Sequence, residues 1–360
     1  MTRRAIWAYP RDLVDRGAAT EIAELRELGF EEVSVAAAYH SVQAFLPENP
    51  RRVWLTAQRS QLHFRSCHRR YGRLRPVGGD ADEPFAAAAE AVSAGGLAVT
   101  AWLVLCHSSL ASDHPELALR PLGGDPIPGV LCPARPAVRE YACALAAEVD
   151  ERFGPAALDL ETPGWVALPH HAHGKLGAGI GSAARFAAGV CLCDICRTLG
   201  AADVTARLRE LLRRPDAATL ELDELLADPE LAEFQQARER IVTELVTSLA
   251  AAVRARVRVV HWGEPRAAGV DYAALADVTE RITVLAYASD PDVVAYTLRP
   301  ALAACGAARV GAGLTLCHPE MPDERSFRAC VHRCRDLGID IFSIYNHSLV
   351  ERARLRWASA

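Results

Sequence analysis

Short apolar runs alternate with amphipathic segments from one end of the chain to the other, and few folds tolerate that rhythm. A short apolar run bounded by turn residues fits a strand buried on both faces. Neighbouring parallel strands then need a crossover, usually a helix, to connect them. The expected strands are 4–9, 32–38, 97–106, 156–161, 257–262, 282–287, 309–317 and 339–345. Between them, helices are expected at 17–28, 84–94, 136–153, 272–280, 291–304 and 323–337. Several begin at proline or after an acidic residue, and several stop at a glycine: Gly29, Gly95, Gly154, Gly306 and Gly338. Eight such units close into a (β/α)₈ TIM barrel more naturally than into an open doubly wound sheet. The 360 residues fit one such domain, covering 1–360, because barrels carry long insertions without splitting.

Two excursions break the rhythm. The first, 39–80, follows strand two and contains an expected hairpin of 52–55 against 62–65. The second, 162–254, follows strand four and holds a Gly/His loop, a cysteine cluster and two expected long helices. Loops that follow barrel strands build the functional face, so both excursions fall where a site would be.

Charge narrows the partner. A net charge of −5 and scattered arginines give no basic surface for nucleic acid. No apolar run reaches the length of a membrane span, and the short apolar stretch after Arg3 and Arg4 lacks a cleavage site. The expected setting is therefore cytoplasmic, with a small, roughly neutral molecule as partner and a homo-oligomer compatible with the composition. The chain has eleven cysteines, an odd number, which in a large cytosolic protein favours metal ligation and buried thiols over disulfides.

Cys191-Leu192-Cys193-Asp194-Ile195-Cys196 places three thiols within six residues. One turn of that spacing can wrap a tetrahedral metal ion, with a fourth ligand from elsewhere. The cluster has company in the sequence. Cys132-Pro133-Ala134-Arg135-Pro136-Ala137-Val138-Arg139 leads into a helix, a strand ends Leu158-Asp159-Leu160-Glu161, and Cys191-x-Cys193-x-x-Cys196-Arg197 follows. In order and spacing this resembles the β-galactosidases of glycoside hydrolase family forty-two, with Leu160 standing where that family has asparagine. The resemblance covers about sixty-five residues in the middle of the chain. It implies a structural zinc on Cys132, Cys191, Cys193 and Cys196, and Glu161 as general acid/base for cleavage of a glycosidic bond. It also implies a nucleophile at the end of strand seven, where Glu320 is the nearest carboxylate, with Asp290 and Glu264 as substitutes.

The expected strand ends are rich in aromatic and imidazole groups. Aromatic faces stack on sugar or ribose rings while His and Asn bond hydroxyls, so a carbohydrate or nucleoside-like ligand fits. The candidates on this ground are Tyr9, His40, His107 and Trp165, then Trp262, Tyr287, His318 and Asn346. In the loop after Glu161, His171, His173 and Lys175, the chain's only lysine, are candidates for closing over substrate. Two other readings stay open: a metal-dependent barrel isomerase or hydrolase built on His40, His107, His261 and His318, and a barrel that binds sugar without cleaving it.

Overall fold

A computed structural model describes residues 3–77, 79–166 and 181–359. Eight parallel strands pair in sequence order and close on themselves: Arg3–Ala8, Glu32–Tyr39, Ala98–Val104, Ala157–Glu161, Arg256–His261, Arg281–Leu285, Val310–Thr315 and Ile341–Tyr345. Closure is direct, since strand one pairs with strand two (Ala5 opposite Glu32) and with strand eight (Arg3 opposite Ile341). The chain is a (β/α)₈ barrel, as the alternation predicts. No helix among the described residues is long and apolar enough to cross a membrane.

Strand residues alternate between two environments. Outward-pointing Val33, Val35, Leu103, Leu158, Val259 and Leu314 join the helices in one large apolar core. Inward-pointing side chains are mostly not aliphatic. At the N-terminal end of the barrel they form a buried charged layer, and at the C-terminal end an aromatic one.

The charged layer centres on Arg258, 1% exposed, which pairs with Glu32 and Glu280 and lies 4.0 Å from Asp159. Thr100 Oγ1 donates to Glu32 at 2.8 Å and Ser34 Oγ to Asp159 at 2.7 Å. Burial alone would raise Glu32, but the adjoining guanidinium outweighs it and holds the carboxyl below its ordinary value. Replacing Arg258 with leucine leaves buried Asp159 and largely buried Glu32 without their nearest counter-charge, while Glu280 keeps Arg256 and Arg281 remains in the layer, so a loss of about 3 kcal/mol is expected at pH 7. In the variant the stranded carboxyls acquire raised pKa values and are protonated at low pH. The deficit in urea unfolding is therefore expected to shrink at pH 4, and a deficit independent of pH would contradict this account.

Helix ends follow local chemistry. Helices 84–94, 136–153, 229–252 and 291–305 each start with proline, which needs no hydrogen-bond partner there, and Asp228 and Asp290 cap the last two. Helix Pro136–Phe153 ends at Gly154, whose φ of 53° is left-handed.

Three local expectations are corrected. The hairpin pairs Trp54–Ala57 with Val42–Phe45, while Gln61–Leu62 lies antiparallel to the end of strand two. Alternation is visible in all three segments, but register across a loop is set by packing, not by local pattern. Among its described residues, the insertion after strand four holds one long helix, Pro229–Ala252, together with shorter ones at Ser182–Gly189, Thr205–Leu211 and Leu222–Leu225. A third excursion, 105–135, follows strand three and went unrecognised because its only helix is the four-residue Leu110–Asp113.

Candidate active site and cysteine centre

The C-terminal mouth of the barrel holds a cavity of about 400 Å³. Glu161, the last residue of strand four, lines it. The chain then turns sharply: Thr162 has φ 53°, a left-handed conformation that a β-branched residue rarely adopts, and Cys106 N donates to its carbonyl. Strain of this kind persists where surrounding structure enforces it, and functional sites are frequent hosts.

Burial lifts the Glu161 carboxyl from the ordinary range to about 7. Trp102 Nε1 opposes this by donating to Glu161 Oε2 at 2.7 Å, and the charge of Asp159, two residues deeper on the same strand, adds to it. Around the carboxyl stand rings from several strands. Trp7 and Tyr39 lie 6.1 Å and 4.7 Å from Trp102, centre to centre, and Tyr287 stacks on Tyr345 at 5.3 Å. His107 stacks on His40 at 4.1 Å, and His40 in turn on Tyr39 at 4.2 Å. Such a site can donate a proton near neutral pH and stack against the apolar face of a ring.

The cavity brings together Glu161, His40, His107, Trp165, Trp262 and Tyr287 from among the candidates. Tyr9 lies behind the wall, its hydroxyl 3.3 Å from that of Tyr39 and 3.4 Å from that of Tyr345. Asn346 is fully buried and caps a short turn, its Oδ1 accepting from Ser348 N. His318 and Glu320 are exposed on the turn after strand seven and do not line the cavity. Asp290 caps a helix, and Glu264 pairs with Arg266 outside the cavity lining. His171, His173 and Lys175 lie outside the described residues. Trp102 was not singled out from the sequence. It sits in mid-strand, but it shares the inward parity of Thr100 and Val104, and an inward tryptophan beside a strand-end glutamate was the signal available.

Beside the cavity, Cys132, Cys191, Cys193 and Cys196 converge, all buried, with their Sγ atoms within 4.8 Å of one another. Cys132 Sγ is 3.4 Å from Cys196 Sγ and 3.7 Å from Cys191 Sγ. A tetrahedral ion with bonds of about 2.3 Å to sulfur requires sulfur pairs roughly 3.8 Å apart, so the quartet is sized to bind a metal. Arg120 N points at Cys191 Sγ at 3.5 Å, and Arg135 pairs with Asp194 inside the motif. Cys132 comes from the excursion after strand three and the others from the insertion after strand four, so the quartet brings residues of these two loops together. Among the described residues, this quartet is the one group of three or more potential ligands close enough to share an ion, and the strand-end histidines form no such group.

The (β/α)₈ barrel fold recurs in solved structures of a β-galactosidase, a β-amylase and a chitinase. The β-galactosidase of the psychrophilic Marinomonas ef1 superposes with a TM-score of 0.61 at 11% identity, over 99% of this chain and 58% of that one. The catalytic domain of a Paenibacillus polymyxa β-amylase gives 0.59 at 11% identity, over 98% and 94%. A class V chitinase mutant from Cycas revoluta gives 0.54 at 9%, over 99% and 98%. At such identities the likeness concerns the fold, and this chain spans little more than half of the Marinomonas enzyme. No family model and no curated protein sequence matches the chain.

Proposed function

We propose that the protein is a glycoside hydrolase in which Glu161 is the general acid and a structural zinc on Cys132, Cys191, Cys193 and Cys196 holds the flanking loops. The observation that carries this reading is a carboxyl at the end of strand four, lifted to about 7 inside an aromatic cavity. A proton available near neutral pH is what a departing sugar oxygen needs. The rings of Trp7, Trp165, Trp262 and Tyr287 would receive the sugar, with His40 and His107 toward its hydroxyls. The zinc would do no chemistry, since all four of its positions are taken by thiolates.

The resemblance to family forty-two calls for a second carboxyl as nucleophile. Glu161 is the only carboxylate among the described residues that line the cavity, and Glu320 could serve only if the turn after strand seven swung inward on binding. The present arrangement favours a displacement assisted by a group on the substrate itself, a route that dispenses with the second carboxyl. It equally motivates a second reading, a barrel that binds sugar without cleaving it.

A panel of aryl glycosides separates these readings: β-galactoside, β-glucoside, 2-acetamido-2-deoxy-β-glucoside and β-riboside. The expected result is release of the aryl group from at least one sugar, with the 2-acetamido compound turned over fastest if the substrate assists. Saturable binding with no release from any member would establish the non-catalytic barrel.

A further inference from the structure

The excursion after strand two presents to solvent a pair of aromatic rings that the cavity does not use. Strand Val42–Phe45 pairs antiparallel with Trp54–Ala57 in a two-stranded sheet of its own, with Gln43 opposite Thr56 and Phe45 opposite Trp54. Alternation divides this hairpin into two faces. Val42, Ala44, Leu55 and Ala57 point inward, and Val42, Ala44 and Leu55 pack into the aromatic cluster at the mouth. Gln43, Phe45, Trp54 and Thr56 point outward and are exposed. Phe45 is 49% exposed and Trp54 55%, and their rings meet edge to face at 5.6 Å.

The hairpin is held in place at its tip. Between the two strands, Asn49 Nδ2 donates to Asp12 Oδ1 at 2.7 Å, Arg52 Nε to Asp15 Oδ2 at 2.6 Å, and Arg352 N to Glu48 Oε1 at 2.7 Å. The tip is thus tied to helix Pro10–Arg16 and to the chain after strand eight. A ligand that stacks on rings already fixed in this way loses little free energy in ordering them.

The chemistry of the outer face selects the ligand. Its four side chains carry no charge, so it complements neither an acidic nor a basic partner. Rings flanked by an amide and a hydroxyl can stack on the apolar face of a sugar while bonding its hydroxyls. A stable protein interface takes roughly 20–30 residues a side, far more than this ribbon offers. The face is also continuous with the cavity. Tyr39, His40 and Val42 line the cavity, and Gln43 and Phe45 follow on the same strand, so Phe45 lies about 10 Å along the chain from the cavity wall.

We propose that the Phe45–Trp54 face is a second sugar subsite, receiving a further unit of a saccharide chain whose reacting end sits at Glu161, so that the substrate is an oligo- or polysaccharide and not a lone glycoside. The inference rests on the reading of the cavity as a sugar site.

The test uses full-length Glu161→Gln protein, which keeps the saccharide uncut. Native gels containing soluble galactan, mixed-linkage β-glucan or glycol chitin are run alongside fluorescence titrations with the matching hexasaccharide and monosaccharide. At least one polysaccharide is expected to retard the protein, and its hexasaccharide to bind more tightly than its monosaccharide. Adding Trp54→Ala should weaken the retardation about three- to tenfold and abolish the gain with chain length. Trp54→Phe, which keeps a ring, should retain most of both. Val53→Ala, 57% exposed but of the opposite parity, should change neither. Equal melting temperatures would show that the variants are folded, and Phe45→Ala repeats the test should Trp54→Ala not fold. Retardation that ignores both Trp54→Ala and Phe45→Ala, or no retardation by any of the polysaccharides, overturns the subsite. A dimer in sedimentation that Trp54→Ala dissolves also overturns it, giving the rings to a second copy of the chain. Failure of the hydrolase reading is a separate outcome. Aryl release by the parent without retardation sinks the subsite alone, whereas Trp54-dependent retardation without release of any aryl group sinks the hydrolase alone.

Discussion

Replacing Glu161 with glutamine is expected to lower turnover of whichever glycoside the protein accepts by about 10²–10⁴-fold, the ordinary contribution of a positioned acid. Fold and zinc content should be unchanged, because the amide keeps the shape of the carboxyl and its oxygen can still accept from Trp102 Nε1. The acid works in its protonated form, so the parent rate should fall as pH rises through about 7. A stability signature accompanies the kinetic one. The native pKa lies above that of the unfolded chain, so the protonated carboxyl favours the fold at low pH, and that contribution is lost as pH rises through about 7. Glu161→Gln, which never ionises, should therefore melt above the parent at pH 8 and level with it at pH 4. Unimpaired turnover in the variant would remove Glu161 from the chemistry, and a melting difference that did not vary with pH would remove the raised pKa.

Removing one zinc ligand should have the largest effect on stability. Cys193→Ala is expected to lower bound zinc from one ion per chain to none and to depress the melting temperature. With free zinc held about a thousand-fold above its dissociation constant, linkage alone contributes about 4 kcal/mol to the native state. The insertion has only a small apolar core of its own, built on Phe186, Leu208, Leu222 and Phe234, so a staple to the excursion after strand three matters more there than in the barrel. Proteolysis should accordingly begin within 181–228 while the barrel strands stay protected. Full zinc content in Cys193→Ala, measured by mass spectrometry, would sink the four-cysteine assignment.

Much of the barrel was legible in the chain because each βα unit announces itself locally. Strand eight was read at 339–345 and found at Ile341–Tyr345, and helix Pro136–Phe153 was read to the residue. Proline starts, glycine stops and apolar runs act over a few residues and need no knowledge of the rest of the molecule. The cysteine quartet was legible for a different reason. Three ligands lie within one turn of chain, and the resemblance implied the fourth.

What escaped the sequence depended on contacts between distant segments. The hairpin after strand two chose Val42–Phe45 as partner because Ala44, Leu46 and Leu55 bury against the aromatic cluster at the mouth. Asn346 and Glu320 looked alike as polar residues near strand ends, yet one became a buried cap and the other a solvated turn. Strand-end position does not determine direction, and direction decides which groups meet. The order of strands, the membership of the cysteine quartet and the place of Glu161 were thus properties of the sequence alone. The lift of Glu161 to about 7 was decided by the tertiary structure, which takes the carboxyl out of water and sets it beside a Trp102 that the chain brings from far away.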